Sequence, residues 1–368
     1  MIARGINQSN LPLLTEMRGV AALLVFHMHL AFYLPAFHIF QWAYLSVDFF
    51  FILSGFVLTH VYHAWFYPQF RPHSLRNFFW ARFGRVYPLH FFYCAIYLIL
   101  YARIFGHWQI KGFLHEVFLM NSLRRWPGQD PVSWSISCEC VAYFFAPFLI
   151  RWLSAGKPWR IGFAFLGAAA WLCWQVLYCV WPLGLDIYSV TARCLPEFIM
   201  GICCYQICSQ WPLRPRAAAV LFGLSFFTCV VAVVTIPSHG PRDLLCAFSF
   251  CGLIPSAIFL RGIFVRIFHG AFGYIGEISY SIYLVHPVLM LAVTPALIQL
   301  AHREGLSPFA TTATTYLAML LLLLGCSALS HRFIELPTRA FFKRFMHRPD
   351  NTPRPGVLAP VIEKNPAT

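Results

Sequence analysis

Ten stretches of about twenty mostly apolar residues recur along this 368-residue chain, near 11–34, 43–64, 87–105, 131–150, 161–181, 191–208, 217–236, 242–260, 274–299 and 310–331. A helix needs about twenty such residues to cross a hydrocarbon core of about 30 Å. Lipid offers no partners to the backbone, so each crossing segment must satisfy its own hydrogen bonds, as a helix does. The repetition therefore predicts an all-α fold: a polytopic membrane bundle of about ten transmembrane helices. Composition agrees, with 59% hydrophobic and 11% charged residues where a soluble domain carries about 25% charged. The first stretch is too long for the apolar part of a signal peptide and lacks a small-residue cleavage site, so it is read as a retained span.

The formal net charge of +14 could suit nucleic acid, but its placement argues for topology. Nineteen of the 27 lysines and arginines fall on segments of one side and seven on the other, with Arg18 inside the first span. The positive-inside rule then puts both termini in the cytoplasm, as expected of a multi-pass protein of a bacterial inner membrane. Membrane lipid is an expected partner and nucleic acid is not. The 13 cysteines lack zinc spacing with histidine and are read as packing residues; no metal is expected.

No internal repeat is visible, so residues 1–345 are read as one integral-membrane domain. The proline-rich segment 346–368 is expected to be a disordered cytoplasmic tail, and "HRFIELPTRAFFKRFMHR" before it a basic amphipathic stretch along the inner leaflet. The longest outer loop is expected over about 106–130.

Ionisable side chains inside spans are costly, at about 2.5–3.5 kcal/mol each on insertion scales, and mark functional positions by default. Here they are Arg18, His27, His29, Asp48, Glu139, Arg193, Glu197, Glu277 and His286, with Glu16 near a span end. Arg18 and His29 are eleven residues apart, which on a helix places them on one face about 16 Å from each other. His27 points elsewhere. A snorkelling arginine with a hydrogen-bonded histidine would read the same way. Asp48 in "SVDFFFILSGF" is expected to orient a histidine or an acceptor hydroxyl, or else to bond a neighbouring helix. Ser54 and Gly55 beside it suit close helix approach.

Arg82 and Arg85 in "FFWARFGRVYPL" share a helix face at the expected cytoplasmic entrance of the third span, where guanidinium pairs grip phosphates or simply anchor the helix. "PVSWSISCECVAYFF" places Trp134, Ser135 and Glu139 at an outer entrance. "GEISYSIYLVHPVL" supplies Tyr280, Tyr283 and His286 as candidates for lining a polar cavity.

Taken together, these segments resemble the acyltransferase-3 family of integral-membrane acyl transferases. "MRGVAALLVFHMH" is similar to its Arg-x10-His signature at Arg18 and His29, and "RFGRVYPL" to its Arg-x-x-Arg-hydrophobic-x-Pro motif. "SVDFFFILSGFVL", "SWSISCE", "ISYSIYLVHPV" and "RFIELP" resemble four further motifs, in family order over about residues 11–340. The resemblance implies a ten-span bundle that takes an acyl group, usually acetyl, from cytoplasmic acyl-CoA to a hydroxyl of a carbohydrate, such as a cell-surface or lipid-linked polysaccharide. It implies His29 as the catalytic residue and Arg18, Arg82 and Arg85 as acyl-CoA-binding. Glu139 and Asp48 are expected to orient His29 or the acceptor. Thr15-Glu16 depart from the small pair common in the family, and the hydrolase-like domain of larger members is not expected here.

His29 could act as the base on the acceptor hydroxyl or be acylated and relay the group; the residues leave both open. A glycosylated secondary metabolite is an alternative acceptor. A multi-pass transporter of a small polar or anionic substrate is the rival class, and a non-catalytic scaffold has little use for these buried charges.

Overall fold

The computed structural model describes residues 11–121, 130–155, 157–178, 187–236 and 240–346. Among these, the chain is helical and forms no strand. Its helices are α1 (Pro12–Leu30), α2 (Leu45–Phe66), α3 (Pro72–Phe105), α4 (Ile110–Val117), α5 (Ser133–Ser154), α6 (Pro158–Tyr178) and α7 (Ile187–Gln210). They continue with α8 (Pro215–Thr235), α9 (Pro241–Ala257), α10 (Ile263–Glu277), α11 (Ser279–Ala292), α12 (Thr294–Arg303), α13 (Pro308–Ser330) and α14 (Leu336–Lys343). Proline opens α1, α3, α8, α9 and α13, where its missing N–H costs nothing and its fixed φ suits the first turn. Gly106, at φ +75°, ends α3 in the left-handed conformation that glycine tolerates.

Among the described residues, each of the ten apolar stretches falls mainly on helix. Six described segments are long and apolar enough to cross a membrane unaided, and a seventh counts if the pair α10–α11, bent by 61°, is one span. The expected single span at 274–299 is therefore three pieces, interrupted at Ile278 and Val293. Glu277 sits exposed at the bend instead of inside a continuous span. The third span is longer than expected because 72–86 is helical too, so Arg82 and Arg85 lie within α3 and not at its entrance. The C-terminal basic stretch is no separate element: α13 passes through a π-helical turn at His331–Glu335 directly into α14. The tail from 347 onward, and residues 122–129 of the outer loop, lie outside the described residues.

The main core joins Phe26 of α1, Phe51 of α2, Phe78 of α3, Phe198 of α7, Ile282 of α11 and Met319 of α13. Glycine sets one of its helix crossings. A Cβ placed at Gly55 of α2 would fall on the carbonyl oxygen of Phe198, and one at Gly201 of α7 on that of Ile52, so each helix needs the other's glycine. Opposite the core, Phe163, Phe226, Val234 and Phe309 are more than half exposed, as suits surfaces that meet lipid.

Candidate active site

A cavity of about 330 Å³ opens between α1, α2, α3, α5 and α11. Its walls are mostly apolar, with Val47, Phe50, Leu53, Val57 and Ile136 among them. Its polar groups are concentrated, with Arg18, Arg82 and Arg85 toward the end that the charge distribution assigns to the cytoplasm.

Arg18 and Arg82 are held by definite partners. Arg18 donates from Nε to Ser279 Oγ at 2.7 Å and from Nη2 to the Gly276 carbonyl at 2.9 Å, which ties α1 across the α10–α11 bend. Arg82 donates to Tyr62 Oη at 2.8 Å, and its guanidinium carbon lies 5.2 Å and 5.7 Å from the ring centres of Tyr62 and Tyr143. Stacking of this kind fixes the plane of a guanidinium while leaving its edge N–H groups for a ligand. Arg85 lines the cavity one turn further along α3.

Midway, Ser54 donates to Glu139 Oε1 at 2.5 Å. Ser54 thus has a polar partner in the cavity, and the close helix approach expected of the Ser-Gly pair belongs to Gly55 alone. At the other end Ser135 and Tyr283 share a hydrogen bond of 2.6 Å. Tyr280, also lining the cavity, donates to the Val86 carbonyl at 2.8 Å.

Beyond Tyr283 lie two histidines. His286 is fully buried, its ring 5.8 Å from Tyr283 and 5.0 Å from His29. Hydrogen bonding assigns their protons. His286 Nδ1 faces the Ile282 carbonyl at 3.2 Å and so donates, which leaves its Nε2 as the acceptor 3.3 Å from His29 Nδ1. His29 Nδ1 also faces the Val25 carbonyl at 2.9 Å, so it carries the proton. The lone pair of His29 is thereby on Nε2, which no described residue engages, and the side chain is half-buried.

The structure brings Arg18, Arg82, Arg85, Glu139, Ser135, Tyr280 and Tyr283 onto one cavity, with His29 and His286 just past its outer end. It does not bring in Asp48. That carboxylate is paired with Arg193, which also reaches Glu197 Oε1 at 3.3 Å, all three buried. The group joins α2 to α7. Trp134 packs edge-on against Phe51 and does not line the cavity. His27 points away, as its spacing predicts, toward Tyr316 Oη at 3.1 Å, and buried Glu16 pairs with His269. Sequence reasoning missed Tyr62 and Tyr143. Tyr143 follows Glu139 by four residues, a spacing that shares a helix face and could have revealed it; Tyr62 carries no such signal. Among the described residues, no group of three or more His, Cys, Asp or Glu side chains is arranged to hold a metal ion.

Comparison with known proteins places the chain among acyltransferases. A family model described as an acyltransferase domain matches residues 14–332. The acyltransferase MdmB of Streptomyces mycarofaciens is 28% identical over 319 residues, covering 75% of this chain and 78% of that protein. Protein 2 in the picA locus of Rhizobium radiobacter is 43% identical over 86 residues, covering 21% of this chain and 39% of that protein. No solved structure matches.

Proposed function

The chain belongs to the acyltransferase-3 family, and from that premise we propose that it moves an acetyl group from cytoplasmic acyl-CoA to a hydroxyl of a carbohydrate acceptor, such as a cell-surface or lipid-linked polysaccharide. It works as a multi-pass protein of a bacterial inner membrane and uses no metal. The observation that carries the reading is one polar row, from three arginines at the inner end of the cavity to the Ser135–Tyr283 pair at its outer end, with His286 and then His29, whose Nε2 is unengaged, just beyond.

Arg18, Arg82 and Arg85 hold the phosphates of the donor, for which guanidinium forks are suited. The apolar walls receive the pantetheine arm and direct the thioester outward. His29 Nε2 takes the proton of the acceptor hydroxyl as the oxygen attacks the thioester carbonyl. The tetrahedral intermediate then collapses, the C–S bond breaks, and the CoA sulfur leaves with the proton from His29. Positioned base catalysis of this kind is worth typically 10²–10⁴-fold. His286 keeps the His29 proton on Nδ1, so the attacking side always meets a lone pair. Ser54 and Glu139 present a polar group midway along the path and orient the reacting end of the donor.

The test is to incubate membranes with radiolabelled acetyl-CoA and follow label into glycan and lipid fractions. Transfer by the wild type and none by His29→Ala, with both proteins equally present in the membrane, is the expected result. Normal labelling by His29→Ala would sink the assignment. Label retained on His29 in the absence of acceptor would replace direct attack with a relay.

A further inference from the structure

A fourth arginine, Arg339, which the motifs leave out, stands near the three that line the cavity without itself lining it. α14 lies along α3: a Cβ placed at Gly84 would come within 2.5 Å of Phe342 Cβ, and Trp80 stacks on Phe342 and Phe345 at 5.6 Å and 5.4 Å. Trp80, Phe83 and Gly84 form the face of α3 on which Phe342 docks, one step round the helix from Arg85. Arg339 precedes Phe342 by three residues and shares its helix face, which directs it to the same place. Electrostatically its neighbours include Arg85, Glu335 and Arg82, and it also acts on Arg18.

A bond to Glu335 uses only part of its guanidinium. Arg339 Nη1 donates to Glu335 Oε1 at 3.2 Å, while Ser281 Oγ at 3.1 Å and His331 Nδ1 at 3.0 Å engage Oε2 of the same carboxylate. One of five guanidinium donors is used, and the side chain is 30% exposed. Four guanidiniums gathered against Glu335 and Glu139 leave an excess of positive charge. Like charges crowd this closely in a partly buried place only when something offsets their repulsion, and the chemistry that fits is a polyanion with several phosphate oxygens.

We propose that Arg339 is a further donor-binding residue, gripping a phosphate at the nucleotide end of acyl-CoA. This rests on the donor assigned above. It also gives α14 a role in recognition, because the helix that ends the membrane domain then closes the mouth over the donor.

Binding to the purified full-length protein in detergent tests it, with acetyl-CoA and with acetyl-pantetheine, which has the thioester arm and no phosphate. Arg339→Gln should weaken acetyl-CoA at least about tenfold, as loss of a charge-assisted contact does, and change acetyl-pantetheine less than twofold. Arg339→Lys should fall between. Equal weakening of both ligands, or a variant that no longer folds while Arg339→Lys binds acetyl-CoA like the wild type, would make the residue structural and overturn the proposal. Unchanged acetyl-CoA binding by Arg339→Gln overturns it as well, with the donor assignment intact. A wild type that binds no acetyl-CoA removes the donor assignment, and this inference falls with it.

Discussion

A single proton position organises the outer end of the site. With His286 removed, His29 Nδ1 keeps only the Val25 carbonyl, and its ring gains room to turn. His286→Ala should therefore lower the transfer rate at saturating donor about 10²-fold while leaving acetyl-CoA binding unchanged. His286→Asn, which retains a hydrogen-bonding group, should recover part of the loss. His27→Ala, by contrast, removes a contact to Tyr316 away from the cavity and should keep most of the activity. Asp130, just before α5, supplies a different test. It is 3% exposed, and burial pushes its carboxyl from the ordinary 3.8 to about 7 against the opposing bond from the Val132 N–H. The folded-state value stands above the unfolded one, so the fold favours the acid form, and stability falls as pH rises from about 4 through about 7. Asp130→Asn should melt several degrees above the wild type at pH 8, and the gap should close toward pH 4 in detergent thermal scans. The candidate site was readable at this scale wherever a charge sits in lipid without an obvious excuse. Arg18, Glu139 and His286 stood out for that reason. Asp48 stood out equally but satisfies itself with Arg193, 145 residues away, and a spacing rule within one helix says nothing about such a partner.

Helices were legible because hydrophobic length dictates them, but their ends and breaks were not. The bend between α10 and α11 is set by tertiary contacts, among them Arg18 to the Gly276 carbonyl, and the apolar run passes through it unchanged. α3 runs well past its apolar part, because the polar turn that carries Arg82 and Arg85 is stabilised by α14. Packing between α2 and α7 depends on backbone approach at Gly55 and Gly201. Gly201→Leu would force the two helices apart at the carbonyl of Ile52 and disrupt the adjoining Asp48–Arg193–Glu197 group. Loss of folded protein, read as a missing monodisperse peak after detergent extraction, is the expected outcome; Gly167→Ala on α6, where an added Cβ meets nothing within 4 Å, should behave as wild type.

For the molecule as a whole, the charge asymmetry makes a claim about sides that labelling can check. Cysteine introduced at Ile39, 71% exposed in the hairpin between α1 and α2, should react with an impermeant maleimide in intact cells. One at Phe345 should react only after permeabilisation. The reverse pattern would invert the topology and with it the side from which the donor enters. The number of crossings is harder to read than their existence, since short or bent helices such as α10, α11 and α12 share the work of one span. One earlier detail gains importance here. The 2.6 Å bond between Ser135 and Tyr283 stands at the outer end of the cavity, between it and the His286–His29 pair. A site fed from opposite faces would otherwise be a wetted channel, and an energised bilayer would discharge through it. The proposed transfer requires that pair of hydroxyls to part as the thioester reaches His29, so such a channel would be open only during turnover.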